Sequence, residues 1–340
     1  MGSKKILVTG GAGYIGSHTV VELYHAGYTP IILDDFSNSE KGVIHGINKI
    51  IKDEVKWYEG DCRDTEYLNK VLLLEKEITG VIHFAAAKAV GESVANPLKY
   101  YDNNIGSLVQ LLKGMNKSGI HNMVFSSSCT VYGQANKLPV TEDTDIMPAE
   151  SPYGNTKQIG EEILSDLALA DNELNAISLR YFNPVGAHPS GLIGELPIGI
   201  PNNLVPYITQ TAAGIREKLV VYGDDYNTED GTCIRDFIHV VDLAKAHVKA
   251  LDAIYDGKLK NYCALNCGTG GGNTVMQLIN AFEKVTGEKL NYELGPRRPG
   301  DIEAVYADAQ KAQDLLGWKA ELSLEEALAD SWNWQKTLSS

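Results

Sequence analysis

Lys5-Ile6-Leu7-Val8-Thr9-Gly10-Gly11-Ala12-Gly13-Tyr14-Ile15-Gly16 decides how the rest of this 340-residue chain is read. An apolar run ends in three glycines spaced three apart, and a helix-period stretch follows to about Gly27. A strand that turns tightly into a helix leaves the first-turn N–H groups without intrahelical partners, and glycines at Gly10, Gly13 and Gly16 let a pyrophosphate approach them. Tyr14 and Ile15 lie in that first turn. The next apolar run ends at Asp34-Asp35, about 20 residues past the turn, where a carboxylate can accept hydrogen bonds from adenosine ribose hydroxyls. It would repel a 2′-phosphate, and no Arg or Lys stands between Asp34 and Lys41, so the pattern favours NAD over NADP. Gly60-Asp61-Cys62 ends the following strand and is a further candidate for adenine contacts. A glycine cluster by itself also fits an ordinary turn; the acidic strand end separates the two readings.

Outward from this turn, short β-branched runs alternate with helix-period segments: Lys5 to Thr9, Pro30 to Leu33, Val55 to Tyr58, Val81 to Phe84, Met123 to Ser126 and Ala176 to Leu179. The alternation predicts an α/β fold, a Rossmann-type doubly wound parallel sheet with helices on both faces and ligands at the carboxyl ends of its strands. After Arg180 the chain becomes Pro- and Gly-rich, over Pro184 to Gly194 and Pro197 to Pro201, and a domain boundary is expected near Asn183. The NAD-binding domain then covers residues 1–183, and a smaller α/β domain covers residues 184–340. A helix over Ile238 to Ala253 and a strand over Ala264 to Cys267 suggest that parts of 236–268 rejoin the first domain.

Thirty Lys and Arg against 44 Asp and Glu give a net charge of −14, the wrong sign for a nucleic-acid partner. An anionic small molecule needs only a few local guanidinium groups. The five cysteines are scattered without a CxxC pair, which argues against a disulfide framework or a zinc site and for a reducing cytosol. His18, His83 and His239 lack ligand spacing, so no metal is expected. No segment reaches the roughly 20 apolar residues of a membrane helix and none resembles an export signal, so a soluble cytoplasmic protein is expected. The stretch from Leu322 to Trp334 has helical apolar spacing and is read as core.

Ser151-Pro152-Tyr153-Gly154-Asn155-Thr156-Lys157 predicts a helix start, with Ser at the N-cap and Pro at the first helical position. Tyr153 and Lys157 then share a face. Tyr153 alone among the 17 tyrosines has Lys four residues on, a spacing that chance could also supply in so Tyr-rich a chain. Removing a proton from an alcohol while its carbon loses hydride needs a base near neutral pH. A Tyr becomes one if nearby cations, Lys157 and a nicotinamide, lower its pKa from about 10. The strand Met123 to Ser128 directs hydroxyls out of its carboxyl end, and Ser128 is placed to hydrogen-bond the reacting oxygen.

Gly10, Gly13 and Gly16, Phe84-Ala85-Ala86-Ala87-Lys88, Asn103, Ser126 to Ser128, Tyr153 with Lys157, and Arg180 to Gly186 together resemble the extended short-chain dehydrogenases/reductases. More narrowly, Pro201-Asn202-Asn203-Leu204, Gly231 to His239 and Arg297 to Asp301 extend a similarity to the UDP-glucose 4-epimerase family over essentially the whole length. The resemblance implies that Tyr153 takes the proton of the sugar 4-hydroxyl, assisted by Ser128, while hydride passes to a tightly bound NAD. The 4-keto sugar turns about its link to UDP and hydride returns to its opposite face. It also implies residue roles. Asp34, Asp35, Asn38 and Ser39 would contact adenosine, and Asp61 and Cys62 would flank adenine. Phe84, Ala85, Ala86, Lys88, Asn103, Ser126 and Tyr181 would line the nicotinamide half. Phe182, Asn183, Asn202, Asn203, Leu204, Tyr222, Arg235, Arg298, Asp301 and Val305 would hold the UDP-sugar, together with Lys88, Ser128, Tyr153 and Tyr181. Family relatives are homodimers.

One departure concerns position 305, Val here where hexose-restricted bacterial members carry Tyr beside the sugar C2 substituent. The smaller side chain leaves room for an N-acetyl group, so UDP-N-acetylhexosamines are expected as further substrates. A sugar-nucleotide 4,6-dehydratase is the rival on the same scaffold and needs a carboxylate just after the serine strand, where this chain has Cys129 and Thr130. A non-catalytic NAD-binding scaffold would have no need of Ser128, Tyr153 and Lys157 together.

Overall fold

The computed structural model describes residues 3–170, 173–298 and 301–338. Six strands precede Asn183: β1 (Lys5–Thr9), β2 (Thr29–Asp34), β3 (Lys56–Glu59), β4 (Ile78–His83), β5 (Asn122–Ser126) and β6 (Asn175–Tyr181). Eight more follow: β7 (Asn183–Val185), β8 (Leu219–Tyr222), β9 (Ile234–Arg235), β10 (Phe237–His239), β11 (Tyr262–Cys267), β12 (Asn273–Thr274), β13 (Tyr292–Gly295) and β14 (Ala304–Val305). One parallel sheet has the order β11-β6-β5-β4-β1-β2-β3, so β11 returns to extend it beside β6. Its strands are apolar on both faces because helices cover both: Ile6 and Val8 enter one core cluster, Leu7 between them the other. The doubly wound fold expected from the alternation is present. Its strand order reverses between β1 and β4, and the crevice at that switch point is where such sheets bind ligands.

The remaining strands are short. They form a β7–β10 pair, a β8–β13 pair and a three-stranded sheet in the order β12-β9-β14. These surround a third core of Val185, Ile208, Leu219, Phe237, Phe282 and Leu328. Boundaries shift where small polar residues dilute the apolar signal. β4 starts at Ile78 because Ile78 and Gly80 pair with β1 around a bulge at Thr79, and it stops before Phe84. The helix expected over Ile238 to Ala253 spans Val240–Tyr255, because residues 237–239 pair with β7 and the His239 ring accepts the Val241 N–H as the cap.

Candidate active site

The glycine turn is backbone pressed against backbone. Gly10 adopts a positive φ of 70°, and a Cβ there would lie 2.7 Å from the Ala85 nitrogen. A Cβ on Gly16 would lie 2.2 Å from the Gly10 carbonyl oxygen. Gly13 starts the helix Tyr14–His25 with no side-chain cap, which leaves first-turn N–H groups for an anion. Phe84 and Ala85 donate N–H groups to the Thr9 carbonyl at 2.9 and 3.1 Å, bringing the loop after β4 beside the turn. Asp34 accepts from the Ala12 N–H (2.9 Å), the Phe36 N–H (2.9 Å) and the Ser39 hydroxyl (3.0 Å), while burial pushes its carboxyl above the usual range. The neighbouring Asp35 is exposed and bonds Ser37, and Asn38 is exposed. Asp61 is forked by the Arg63 guanidinium; Cys62 is buried in the core, its thiol pushed up to about 12. Phe84 packs its ring on His247, 4.6 Å between centroids, and Ile15 packs on the same core.

At the β5 end the serine hydroxyls alternate. Ser126 shares a 2.6 Å hydrogen bond with the Tyr181 hydroxyl, and the Lys157 ammonium donates to the Ser126 carbonyl at 2.7 Å. Ser128 caps a one-turn 3₁₀ helix, Cys129–Tyr132, its hydroxyl accepting the Thr130 N–H at 3.2 Å, and it lies near enough to the Tyr153 phenol to favour the ionised form. Tyr153 lies in the first turn of the helix Pro152–Ala170, whose Gly154 N–H donates to the Ser151 hydroxyl at 3.2 Å, the N-cap that the sequence predicts. The phenol and the ammonium are both buried. Burial acts on both groups. Burial drives the Tyr153 phenol well above its ordinary value, with Ser128 the group that pulls it down, and burial lowers Lys157 to about 8. Burial thus opposes ionisation of the phenol, and a positive charge beside it acts in the opposite direction.

Across the crevice, Asp301 draws two guanidinium groups together, accepting from Arg298 at 2.8 Å with Arg235 at 3.5 Å. Tyr222 is half-exposed with the Arg298 guanidinium 5.9 Å from its ring centroid. In the stretch Arg297 to Asp301, Pro299 and Gly300 lie outside the described residues. Val305 sits opposite Arg235 in the β9–β14 ladder and is buried in a small cluster with Val131, Tyr132, Val140 and Phe182 that also receives Cys129. Asn183 follows Tyr181 and Phe182 directly off β6. Asn202 is exposed, Asn203 stands at the N-cap position of the helix Leu204–Ala212 without a side-chain cap, and Leu204 packs on the third core. Lys88 reaches over the crevice to Glu195 at 3.0 Å, and the same carboxylate oxygen accepts from Asn203 at 2.6 Å. The Tyr14 hydroxyl donates to the Gly186 carbonyl at 2.7 Å.

Sequence reasoning passed over three groups. Asn104 lies in a π-turn, Tyr101–Ile105, within an otherwise α-helical run from Pro97 to Lys117. Its amide exchanges two hydrogen bonds with the Ala87 backbone and donates to the Thr156 hydroxyl, tying the Phe84–Lys88 loop to the Tyr153 helix. Glu161 and Arg180 form a buried two-pronged ion pair that also accepts the Ser127 hydroxyl. Glu161 stands one turn after Lys157, a spacing the sequence displays. Glu195 had no such signal. His83 bonds Thr9, and the His239 ring stands 3.2 Å from Asp330. Trp334 donates to the Glu195 carbonyl at 3.0 Å, so the last helix also supports the crevice loop.

A glycine turn at a switch point and a buried Ser–Tyr–Lys set on one parallel sheet, followed by short strands around a further core, form the architecture of an extended short-chain dehydrogenase/reductase. Residues 7–331 match the family model described as GDP-mannose 4,6 dehydratase. The chain is 52% identical to a UDP-glucose 4-epimerase of Bacillus subtilis (strain 168), over 98% of this chain and 97% of that protein. A structure of UDP-glucose 4-epimerase from Bifidobacterium longum in complex with NAD+ and UDP superposes with a TM-score of 0.94 at 49% identity, covering 98% of each chain. The UDP-Glc/GlcNAc 4-epimerase of Campylobacter jejuni superposes at 0.84 with 36% identity, over 99% of this chain and 100% of that one. This chain belongs to the UDP-glucose 4-epimerase family.

Proposed function

We propose that this chain interconverts UDP-glucose and UDP-galactose by inverting C4 of the hexose, with NAD as a resident cofactor. The observation that carries the reading is the buried Ser128–Tyr153–Lys157 set at the end of β5, followed by Cys129 and Thr130 where a dehydratase needs a carboxylate. The nearest buried carboxylate on the Tyr153 helix, Glu161, is paired with Arg180. Gly10, Gly13 and Gly16 form a cradle that a Cβ would fill, and with Asp34 and Ser39 they would hold NAD, which supplies a hydride acceptor and donor when bound. Tyr153 takes the proton of the 4-hydroxyl and later returns it, and Ser128 orients that hydroxyl. Lys157, held on the Ser126 carbonyl, keeps a positive charge beside the phenol below about pH 8. Arg235 and Arg298, gathered by Asp301, neutralise the diphosphate. Asn183, Asn203, Leu204 and Tyr222 bound the remainder of the UDP-sugar site.

The test is direct. Denatured protein should release NAD, and native protein should interconvert the two UDP-hexoses with none added. A 4-keto-6-deoxy product would overturn the reading in favour of a dehydratase; turnover that needs added NAD would overturn the resident cofactor.

The small Val305 supports turnover of UDP-N-acetylhexosamines as well, and a family member that acts on both sugar types lends weight to it. We divide the chain into an NAD domain over 1–183, rejoined by parts of 236–268, and a UDP-sugar domain over 184–340. A homodimer formed through the helices of the first domain fits exposed apolar side chains there, Leu98 at 78% and Leu169 at 77%. Light scattering at micromolar concentration tests it. Five free cysteines, and no helix among the described residues long and apolar enough to cross a membrane, fit a cytoplasmic setting.

A further inference from the structure

Asp236 joins β9 to β10 and is 0% exposed, yet no step above uses it. One carboxylate oxygen accepts from the Thr269 N–H at 2.9 Å and the Thr269 hydroxyl at 2.7 Å; the other accepts from the Ala307 N–H at 3.1 Å. A Cβ on Gly268 would come within 2.3 Å of that second oxygen, so the turn after β11 is seated against it. The backbone carbonyl of the same residue accepts the Asn183 N–H at 2.9 Å. Arg235, the adjacent residue, turns to Asp301 rather than to this carboxylate. Asp236 thus holds at once the turn after β11, the chain two residues beyond Val305, and Asn183.

Strands as short as these cannot set their own register. β9 and β14 share two residue pairs, Ile234 with Ala304 and Arg235 with Val305. Hydrogen bonds converging on one buried carboxylate supply the fixed point that ladder length does not, and a carboxylate is needed because it is acceptor-only. An amide would turn an NH₂ towards one of the N–H groups.

We propose that Asp236 is a positioning residue for the UDP-sugar site, fixing Arg235 and Val305 relative to Asn183 and so setting substrate affinity without touching the substrate. The proposal rests on the UDP-sugar reading of that half. In the NAD-loaded full chain, Asp236→Asn should raise KM for UDP-glucose about tenfold, weaken UDP binding in calorimetry to match, and leave kcat within about threefold with NAD content unchanged. A purely structural role would instead lower the active fraction, reducing apparent kcat and NAD content at unchanged KM, and that result overturns the proposal. If Asp236→Asn does not fold, Thr269→Val removes only the hydroxyl donor and should raise KM about threefold, with Thr269→Ser at the wild-type value. Equal KM in both Thr269 variants overturns it. Arg235→Leu separates the two readings: unchanged UDP affinity sinks the underlying site, whereas weakened UDP binding beside a wild-type-like Asp236→Asn sinks the positioning role alone.

Discussion

The two halves of the crevice are built by different means. On the sheet side, strands of four to seven residues bring backbone against backbone, and the decisive residues are glycines whose missing side chains are the point. On the other side, strands of two to four residues are held by side-chain carboxylates, with Asp301 between two arginines and Asp236 between three chain segments. Backbone contact tolerates no added atom, whereas side-chain contacts yield by degrees. Under the proposed reading, a resident NAD and a UDP-sugar exchanged at every turnover call for those two kinds of wall.

Substitutions can break or sharpen this contrast. The largest effect belongs to the chemistry between the halves: Tyr153→Phe should lower kcat about a thousandfold while calorimetry still detects UDP, since general acid–base catalysis contributes on the order of 10²–10⁴. Next, Gly16→Ala should cut NAD per chain to about a tenth, measured after denaturation, because its Cβ would collide with the Gly10 carbonyl. NAD retained at wild-type stoichiometry would break the idea that backbone closeness defines that half. Arg298→Ala should raise KM for UDP-glucose about tenfold at unchanged NAD content, the scale of one charge-assisted hydrogen bond. Val305→Tyr should lower kcat/KM for UDP-N-acetylglucosamine relative to UDP-glucose by about tenfold, a typical steric discrimination; an unchanged ratio removes Val305 from specificity.

The smallest effect is a pH dependence of stability. Lys157 titrates near 8 in the folded chain, below its ordinary value, so folding disfavours its charged form. Its destabilising contribution is fully present below about pH 8. Between there and the ordinary lysine value the unfolded chain binds more protons, and unfolding free energy rises with pH. Urea melts at pH 8 and pH 10 should show this gain in wild type and lose on the order of 1–2 kcal/mol of it in Lys157→Met. Equal gains in both proteins would count against the buried ammonium.

Legibility in the sequence follows the same divide. Ile6-Leu7-Val8 and Ile31-Ile32-Leu33 announce strands because a sheet covered on both faces needs apolar residues without interruption. The glycine turn, the acidic end of β2 and the Ser151 cap are local and were readable for that reason. β7, β9, β10, β12 and β14 carry no periodic signal, since their register depends on contacts with residues far along the chain, such as Ala307 with Asp236. Arg235, Arg298 and Val305 were reached through resemblance rather than pattern. The pairing of Tyr153 with Lys157 could be read from spacing, but the direction in which burial moves the phenol could not, because burial belongs to the whole fold. Asn104 was hidden by the π-turn, which helical period does not anticipate.

That π-turn is one residue more than a regular helix requires, and in the history of a chain it has the form of a retained insertion. Deleting a residue from 101–105 would close the bulge into an unbroken α-helical ladder from Pro97 to Lys117, leaving the turns on either side in their present register but removing the local offset that carries Asn104. Asn104 would then leave Ala87 and Thr156. A library selected for heat resistance would be drawn towards such a deletion, and one selected for turnover would discard it.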